Sequence, residues 1–176
     1  MKKILLGILL NCWLATLAFA LNGGVQLIGH YDNIVTFDSA DPHQQGYGVD
    51  LYRNADGSVF GTFVFAPGTT EGVSAVLYDI TWRQTTKSLK FKAKLSAGHE
   101  SSKNYDRDSH DFFAFEGTLS DRFIVGRLTH KSGYEPQLPG TTINVKLKRD
   151  RSRLNGAYVP TSFDQWEKTS PPLANW

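Results

Sequence analysis

The chain has 176 residues, of which 19 are Lys or Arg and 17 are Asp or Glu, and 12% are aromatic. This near-balance of charge excludes the strongly basic composition that is typical of nucleic-acid-binding domains. A single cysteine cannot form an intrachain disulfide, so the fold depends on an apolar core, for which the chain is long enough.

Residues 1–20 have the pattern of a bacterial-type signal peptide. They begin with the basic head MKK, continue as an almost wholly apolar run to Leu17, and end in AFA, where small residues suit a signal peptidase. We therefore expect cleavage after Ala20 and a periplasmic or secreted protein. Cleavage removes Cys12 and the lysines of the head, which leaves 17 basic and 17 acidic residues.

Residues 21–160 are predicted to form a single barrel-like domain, built from short strands at hairpin spacing. Residues 25–31 and 34–37 suggest a strand pair or one bent strand. Residues 47–52 alternate between apolar and polar side chains, and residues 58–66 form a phenylalanine-rich strand.

The clearest strand is LKFKAKL at residues 89–95, in which apolar residues and lysines alternate with a period of two. A hairpin that closes over residues 84–87 pairs it with residues 76–82. The apolar partners on one face are then Trp82 opposite Leu89, Ile80 opposite Phe91, Tyr78 opposite Ala93 and Val76 opposite Leu95. Asp79 faces Lys92 on the other face, and an opposite-charge pair there adds roughly 0.2–1 kcal/mol.

A second hairpin, FFAFEGTL followed by SD and RFIVGRLTH, is predicted over residues 112–130. Centring it between Asp121 and Arg122 gathers apolar residues on one face and pairs Glu116 with Arg127 on the other. The same register pairs Leu119 with Ile124, Phe115 with Leu128, Phe113 with His130, and Gly117 with Gly126. Opposed glycines inside strands mark a bend, a close approach by a large side chain, or room for a ligand.

Residues 96–110, SAGHESSKNYDRDSH, form the longest polar stretch and are predicted to be a loop. The stretch and the residue after it contain side chains that could ligate a divalent ion: His99, Glu100, Asp106, Asp108, His110 and Asp111. The spacing matches no calcium-binding loop, and Lys103 and Arg107 lie among the acids. We therefore predict a solvated loop that binds no metal tightly.

The C-terminal region adds one clean strand and a short helix. Residues 143–147 alternate between apolar and polar side chains, and residues 154–159 suggest a final strand. Ser162 is placed to cap a helix of one or two turns, with Gln165 as its capping-box partner. Residues 161–176 are therefore predicted to be a short helix and an irregular tail.

About nine or ten short strands, with no helix long enough to connect parallel strands, predict an all-β fold. An antiparallel up-and-down meander, closed or partly open as a barrel, fits this pattern, and a β-sandwich is the alternative. Outer-membrane barrels have strands of about 9–11 residues and aromatic girdles, which LKFKAKL and the tail PPLANW do not match. No membrane insertion is therefore expected.

The leading functional hypothesis is a non-catalytic binding barrel for a small apolar or amphipathic ligand. No nucleophile elbow, phosphate-binding glycine loop, zinc-spaced Cys/His set or HExxH motif occurs, so no catalytic residue, cofactor or metal is predicted. The predicted ligand contacts are the residues that the two hairpin registers turn toward the inner face: Tyr78, Trp82, Phe91, Phe113, Phe115, Gly117, Gly126 and His130. The glycine pair is the expected floor of a modest pocket.

Charge is distributed unevenly along the chain. Residues 21–79 carry seven acidic residues and one basic residue, whereas residues 80–156 carry fifteen basic and eight acidic residues. The alternative hypothesis is a protein-interaction or inhibitor module that acts through residues 96–110 and these charged flanks. An enzyme is the third hypothesis, and no nucleic-acid partner is expected.

Overall fold

A computed structural model describes residues 24–38, 40–101, 106–134, 137–152 and 159–176 of the protein. In these ranges eleven strands and one helix follow one another along the chain. Their bounds are β1 Gln26–Asp32, β2 Val35–Phe37, β3 His43–Arg53, β4 Val59–Thr69, β5 Val73–Arg83, β6 Ser88–Leu95, β7 His99–Ser101, β8 Asp106–Asp108, β9 Asp111–Leu119, β10 Phe123–Lys131, β11 Thr141–Arg149 and α1 Phe163–Thr169. The predicted signal peptide and most of the strand predicted at residues 154–159 lie outside the described residues.

Nine of the strands form one antiparallel sheet that closes into a barrel. The order around the sheet is β1, β11, β10, β9, β6, β5, β4 and β3, and β1 completes the ring by pairing with β3. These eight strands form the barrel, and β2 continues beside β3 as an extra strand. The predicted up-and-down barrel with a short C-terminal helix is confirmed, and the β-sandwich alternative is not.

The hairpin of β9 and β10 has the predicted register. The observed pairs include Leu119 with Ile124, Phe115 with Leu128, Phe113 with His130, Gly117 with Gly126, and Glu116 with Arg127. The Glu116 carboxylate also lies 2.7 Å from Nζ of Lys90 on β6. This contact holds the pKa of the Glu116 carboxyl below its ordinary value. Apolar and charged side chains therefore specify the same alignment.

The register of β5 and β6 is predicted correctly only next to the turn. Trp82 lies opposite Leu89 as expected, but Tyr78 lies opposite Lys92. The shift arises at Asp79, whose φ of 50° is left-handed and which lies in a β-bulge of β5. The predicted alignment of Asp79 with Lys92 is therefore wrong, although their side chains form an ion pair with an N–O distance of 2.8 Å.

The bulge changes which residues of β5 face the core. Leu77 turns inward and is 6% exposed, because a shift of one residue reverses the two faces of a strand. Tyr78 turns outward, where Nζ of Lys94 lies 5.8 Å from its ring centroid and 5.3 Å from that of Trp176. The prediction that Tyr78 faces the interior is wrong for this reason.

Aromatic and aliphatic side chains fill the interior of the barrel. Residues with at most 2% exposure include Tyr31, Leu51, Phe63, Leu89, Phe113 and Ile124. Ring centroids are 4.9 Å apart for Phe63 and Phe113 and 5.0 Å apart for Phe91 and Phe115. Burial stabilises each such side chain by about 1.5–3 kcal/mol, so the core can hold the fold without a disulfide.

Helix α1 packs on the outside of the barrel. Oγ of Ser162 accepts a hydrogen bond from the N–H of Gln165 at 3.2 Å, as predicted for the cap. The side chain of Gln165 accepts from the N–H of Thr161 at 2.8 Å, one residue before the cap. Trp166 lies 4.8 Å from the ring of Phe60 and closes a second apolar cluster. Within the described residues, no helix is both long and apolar enough to cross a membrane.

Part of the stretch predicted as a loop, residues 96–110, is a two-stranded hairpin. β7 and β8 pair with His99 opposite Asp108. Ser109, which directly follows β8, is completely buried. Its Oγ accepts from the N–H of Ala97 at 2.8 Å and donates to the carboxylate of Asp111 at 2.5 Å. The prediction of a loop is wrong here, because polar side-chain contacts rather than apolar alternation hold the segment.

Candidate functional site

The predicted ligand contacts do not converge on one cavity. The buried aromatic residues among them lie in the core and are at most 3% exposed: Phe91, Phe113 and Phe115. Tyr78 lies on the outer face, beside α1 and the C-terminal tail. Trp82 and His130 lie at opposite ends of the barrel, because β5 ends where β10 begins.

Gly117 and Gly126 lie opposite each other, but they do not form the floor of a pocket. A Cβ atom on Gly117 would lie 2.6 Å from Cζ of Phe115, and one on Gly126 would lie 2.8 Å from the same atom. The ring of Phe115 therefore occupies the space in front of both glycines. The hypothesis of a pocket at this pair is wrong, since the glycines permit close approach of two strands and a ring.

His130 lies at the end of the barrel where β10 terminates. Its ring stacks on Phe113 with centroids 4.3 Å apart, and its Nε2 lies 2.7 Å from Oδ1 of Asp111. Burial raises the pKa of the Asp111 carboxyl, but hydrogen bonds from His130 and Ser109 outweigh it and leave that pKa below its ordinary value. This polar cluster ties the loop before β9 to β10 and lies beside a filled interior.

The other end of the barrel opens into a cleft with a volume of about 730 Å³, here called the mouth cleft. It lies between the start of β1, the end of β3, the β5–β6 and β9–β10 turns, and the end of β11. Its apolar lining consists of Leu27, Ile28, Tyr31, Trp82, Leu119 and Phe123. The volume lies within the range of roughly 300–1,000 Å³ that small-molecule sites occupy.

The rim of the mouth cleft is cationic. Its basic lining residues are Arg53, Lys87, Arg122 and Arg149. Asp121 is the one carboxylate among the described lining residues. Nη2 of Arg53 donates to the side-chain oxygen of Gln26 at 2.5 Å, which fixes that guanidinium beside the cleft. The excess of positive charge favours an anionic ligand.

Arg149 connects the barrel wall to the mouth cleft. Its Nη2 donates to the carbonyl of Ile28 at 2.8 Å, and its Nη1 donates to the carbonyl of Asp121 at 3.4 Å. Its guanidinium carbon lies 5.9 Å from the ring centroid of Tyr31. Burial raises the pKa of the Tyr31 hydroxyl, and the positive charge of Arg149 partly offsets this. Nε of Arg149 is buried without a hydrogen-bond partner, which is uncommon for a guanidinium nitrogen.

Two further histidines contact carboxylates outside the mouth cleft. The ring nitrogens of His99 lie 2.9 Å from Asp108 and 2.7 Å from Asp106, and these hydrogen bonds raise the pKa of the imidazole. Nδ1 of His30 lies 2.6 Å from Oδ1 of Asp50. In the part of the chain that the structure describes, no three His, Cys, Asp or Glu side chains are grouped so as to hold a metal ion.

The cations of the mouth cleft are not predicted from the sequence, because they come from four separate places along the chain. Each of them lies at a strand end or in a turn at the same end of the barrel: Arg53, Lys87, Arg122 and Arg149. Strand order alone could identify them, since alternate turns of an up-and-down barrel share one end. Comparison with known proteins finds no matching family model, curated protein or solved structure.

Proposed function

We propose that the protein is an exported, non-catalytic binding protein that holds a small amphipathic anion in the mouth cleft. The observation that supports this proposal is an apolar lining that includes Trp82 and Phe123, bordered by a cationic rim. Small closed barrels commonly hold one ligand at the mouth or in the interior. Because side chains fill the interior, the ligand lies at the mouth. Export rests on the signal-peptide pattern of residues 1–20.

The ligand class follows from the two surfaces of the cleft. An acyl or aryl group that covers Trp82 and Leu27 gains about 25 cal/mol for each Å² of apolar area removed from water. A carboxylate, sulfate or phosphate group can accept hydrogen bonds from Arg53 or Lys87. Asp121 is the one carboxylate among the described lining residues, so these residues do not supply the pair of carboxylates that glycoside hydrolysis uses.

A comparison of three ligands that share a twelve-carbon tail tests this proposal. Laurate, dodecanol and dodecyltrimethylammonium are titrated against tryptophan fluorescence below their micellar concentrations. We expect laurate to bind at least about tenfold more tightly than the cation, a difference of about 1.4 kcal/mol that shrinks as salt is added. Absence of laurate binding, or equal affinity for all three ligands, contradicts the proposal.

Charge-reversal variants identify the site. Lys87→Glu and Arg53→Glu place a negative charge on the rim and are expected to weaken laurate binding several-fold. Lys168→Glu makes the same change on the exposed face of α1 and serves as the matched control. Equal effects of all three variants would indicate a non-specific effect of net charge rather than binding at the mouth cleft.

A protein-interaction module is the second candidate function. The filled interior favours it over a ligand held inside the barrel. Basic residues are also concentrated on β11 and the residues after it, where Lys146, Lys148 and Arg151 border one cleft.

A further inference from the structure

The barrel is closed along only part of the boundary between β1 and β11. These strands pair at two positions, Tyr31 with Arg149 and Asp32 with Lys148. After Asp32 the chain continues as β2, which pairs with β3. Among the described residues, no strand pairs with residues 141–147 on the side away from β10. This gap between β2 and β11 is called the open seam.

The ladder with β10 shows which backbone groups of β11 face the open seam. The N–H of Arg149 donates to the carbonyl of Arg122, so the odd-numbered residues of β11 direct their backbone groups toward β10. The even-numbered residues Thr142, Asn144 and Lys146 therefore direct theirs toward the open seam. Such a row of donors and acceptors is a template for another strand.

Apolar side chains are exposed on both sides of the open seam. On β2, Val35 is 53% exposed and Phe37 is 41% exposed. On β11, Ile143 is 39% exposed although it lies opposite the buried Leu128 and belongs to the inward-facing set. A strand that covered this edge would remove these side chains from water, which is favourable.

The base of the open seam is a cleft of about 860 Å³ with a positive charge. Its charged lining residues are Arg122, Lys146, Lys148, Arg149, Arg151, Asp32 and Asp150. Nζ of Lys146 lies 4.3 Å from the ring centroid of Phe123, on the outer face of the barrel. Because basic residues outnumber acidic ones, the cleft is complementary to an acidic partner.

We propose that the edge of β11 that no described strand covers binds an extended, acidic segment of a partner protein by β-strand addition. Thr142, Asn144 and Lys146 supply the backbone hydrogen bonds. Alternate apolar side chains of the segment face inward beside Ile143, and its carboxylates face outward beside Lys146. The base of the open seam and the mouth cleft share Arg122, Phe123 and Arg149. Lys146 lines the seam and not the mouth cleft, whereas Trp82 and Lys87 line the mouth cleft and not the seam, so variants can distinguish the two sites.

Synthetic nine-residue peptides test the proposal by fluorescence anisotropy and amide hydrogen exchange. One peptide alternates valine with glutamate, and a second alternates valine with lysine. Two further peptides have the sequence of the glutamate peptide but carry N-methyl groups on every second backbone amide. One is methylated at the odd-numbered positions and the other at the even-numbered positions, so each lacks the N–H donors along one edge of the peptide strand and keeps all its side chains.

We expect the glutamate peptide to bind and to slow exchange of the amides of Thr142, Asn144 and Lys146. The lysine peptide and one of the two N-methylated peptides bind at least about tenfold more weakly. Absence of binding at millimolar concentrations of the glutamate peptide overturns the proposal. Lys146 and Lys148 would then serve to prevent aggregation through the edge of β11. Equal affinity for both N-methylated peptides and their parent also overturns it.

Variants of β11 provide a second test. Asn144→Pro removes an N–H on the open side and spares the ladder with β10, a position at which edge strands accept proline. We expect it to weaken peptide binding at least about tenfold, and Lys146→Gln to weaken it several-fold. Lys168→Gln on α1 is the control for charge, and Lys87→Glu at the mouth cleft is expected to leave peptide binding unchanged. Unchanged affinity in both β11 variants contradicts strand addition, and the N-methylated peptides decide the question if Asn144→Pro does not fold.

Discussion

Gly117 and Gly126 lie where two strands and an aromatic ring meet. The ring of Phe115 covers both glycines, and Phe91 stacks on that ring. Any side chain at either position would move the ring or separate the strands. At the scale of single residues, the filled core therefore depends on these two glycines.

Replacement of Gly126 by alanine tests this packing. The new Cβ would lie 2.6 Å from Cα of Gly117 and 2.8 Å from Cζ of Phe115. We expect the overpacking to lower the free energy of unfolding by about 1–3 kcal/mol, measured by urea denaturation. Val125→Thr, at a neighbouring side chain that is 44% exposed, is expected to change it by about 0.5 kcal/mol or less. Equal stability of Gly126→Ala and the unsubstituted protein would show that the space is not filled.

At the scale of single elements, the bulge in β5 changes which of its side chains face the core. Asp79 adopts a left-handed backbone conformation, and the residues before it exchange faces. Leu77 enters the core and Tyr78 contacts the surface beneath the C-terminal tail. One residue thus determines the orientation of half a strand.

Two substitutions at Asp79 isolate the energetic contribution of the bulge. Both Asp79→Val and Asp79→Gly remove the exposed ion pair with Lys92, so loss of that ion pair does not contribute to their difference. Valine is strongly disfavoured at a φ of 50°, whereas glycine adopts it freely. We expect Asp79→Val to be less stable than Asp79→Gly by about 1–2 kcal/mol in thermal or urea unfolding. Equal stability of the two variants is incompatible with the bulge.

The strands differ in how well the sequence predicts them. The β9–β10 register is predictable because the apolar pattern and the pairing of Glu116 with Arg127 require the same alignment. The β5–β6 register is not, since Asp79 continues the alternation of the strand and nothing in the sequence marks its left-handed conformation. The β7–β8 hairpin lacks an apolar face, so periodicity does not reveal it.

For the whole molecule, short alternating strands and frequent turns predict an antiparallel all-β fold, but they leave both a barrel and a β-sandwich possible. The candidate site is not predictable in the same way, because its cations come from turns and strand ends that are distant in sequence. Of the predicted ligand contacts, Trp82 alone lines the mouth cleft. Closure of the barrel pairs Tyr31 with Arg149, which are far apart in the sequence. The alternation of apolar and polar residues within single strands does not predict this contact, and it does not predict the open seam beside it.

The two ends of the barrel differ in a way that favours binding at one of them. Asp111, Ser109 and His130 form a hydrogen-bonded cluster at one end, where the neighbouring rings are packed together. The other end combines an apolar lining with the cationic rim of the mouth cleft. An amphipathic anion is therefore expected to approach the second end.

Binding at the mouth cleft is tested most directly by the broadening that a doxyl-labelled fatty acid causes in the tryptophan indole N–H resonances. The described residues contain Trp82 at the mouth cleft, Trp166 on the buried face of α1 and Trp176 at the C-terminus. We expect the label to broaden the resonance of Trp82, to leave the other two sharp, and to be displaced by excess laurate. Broadening of Trp166 or Trp176 while Trp82 stays sharp would contradict binding at the mouth cleft.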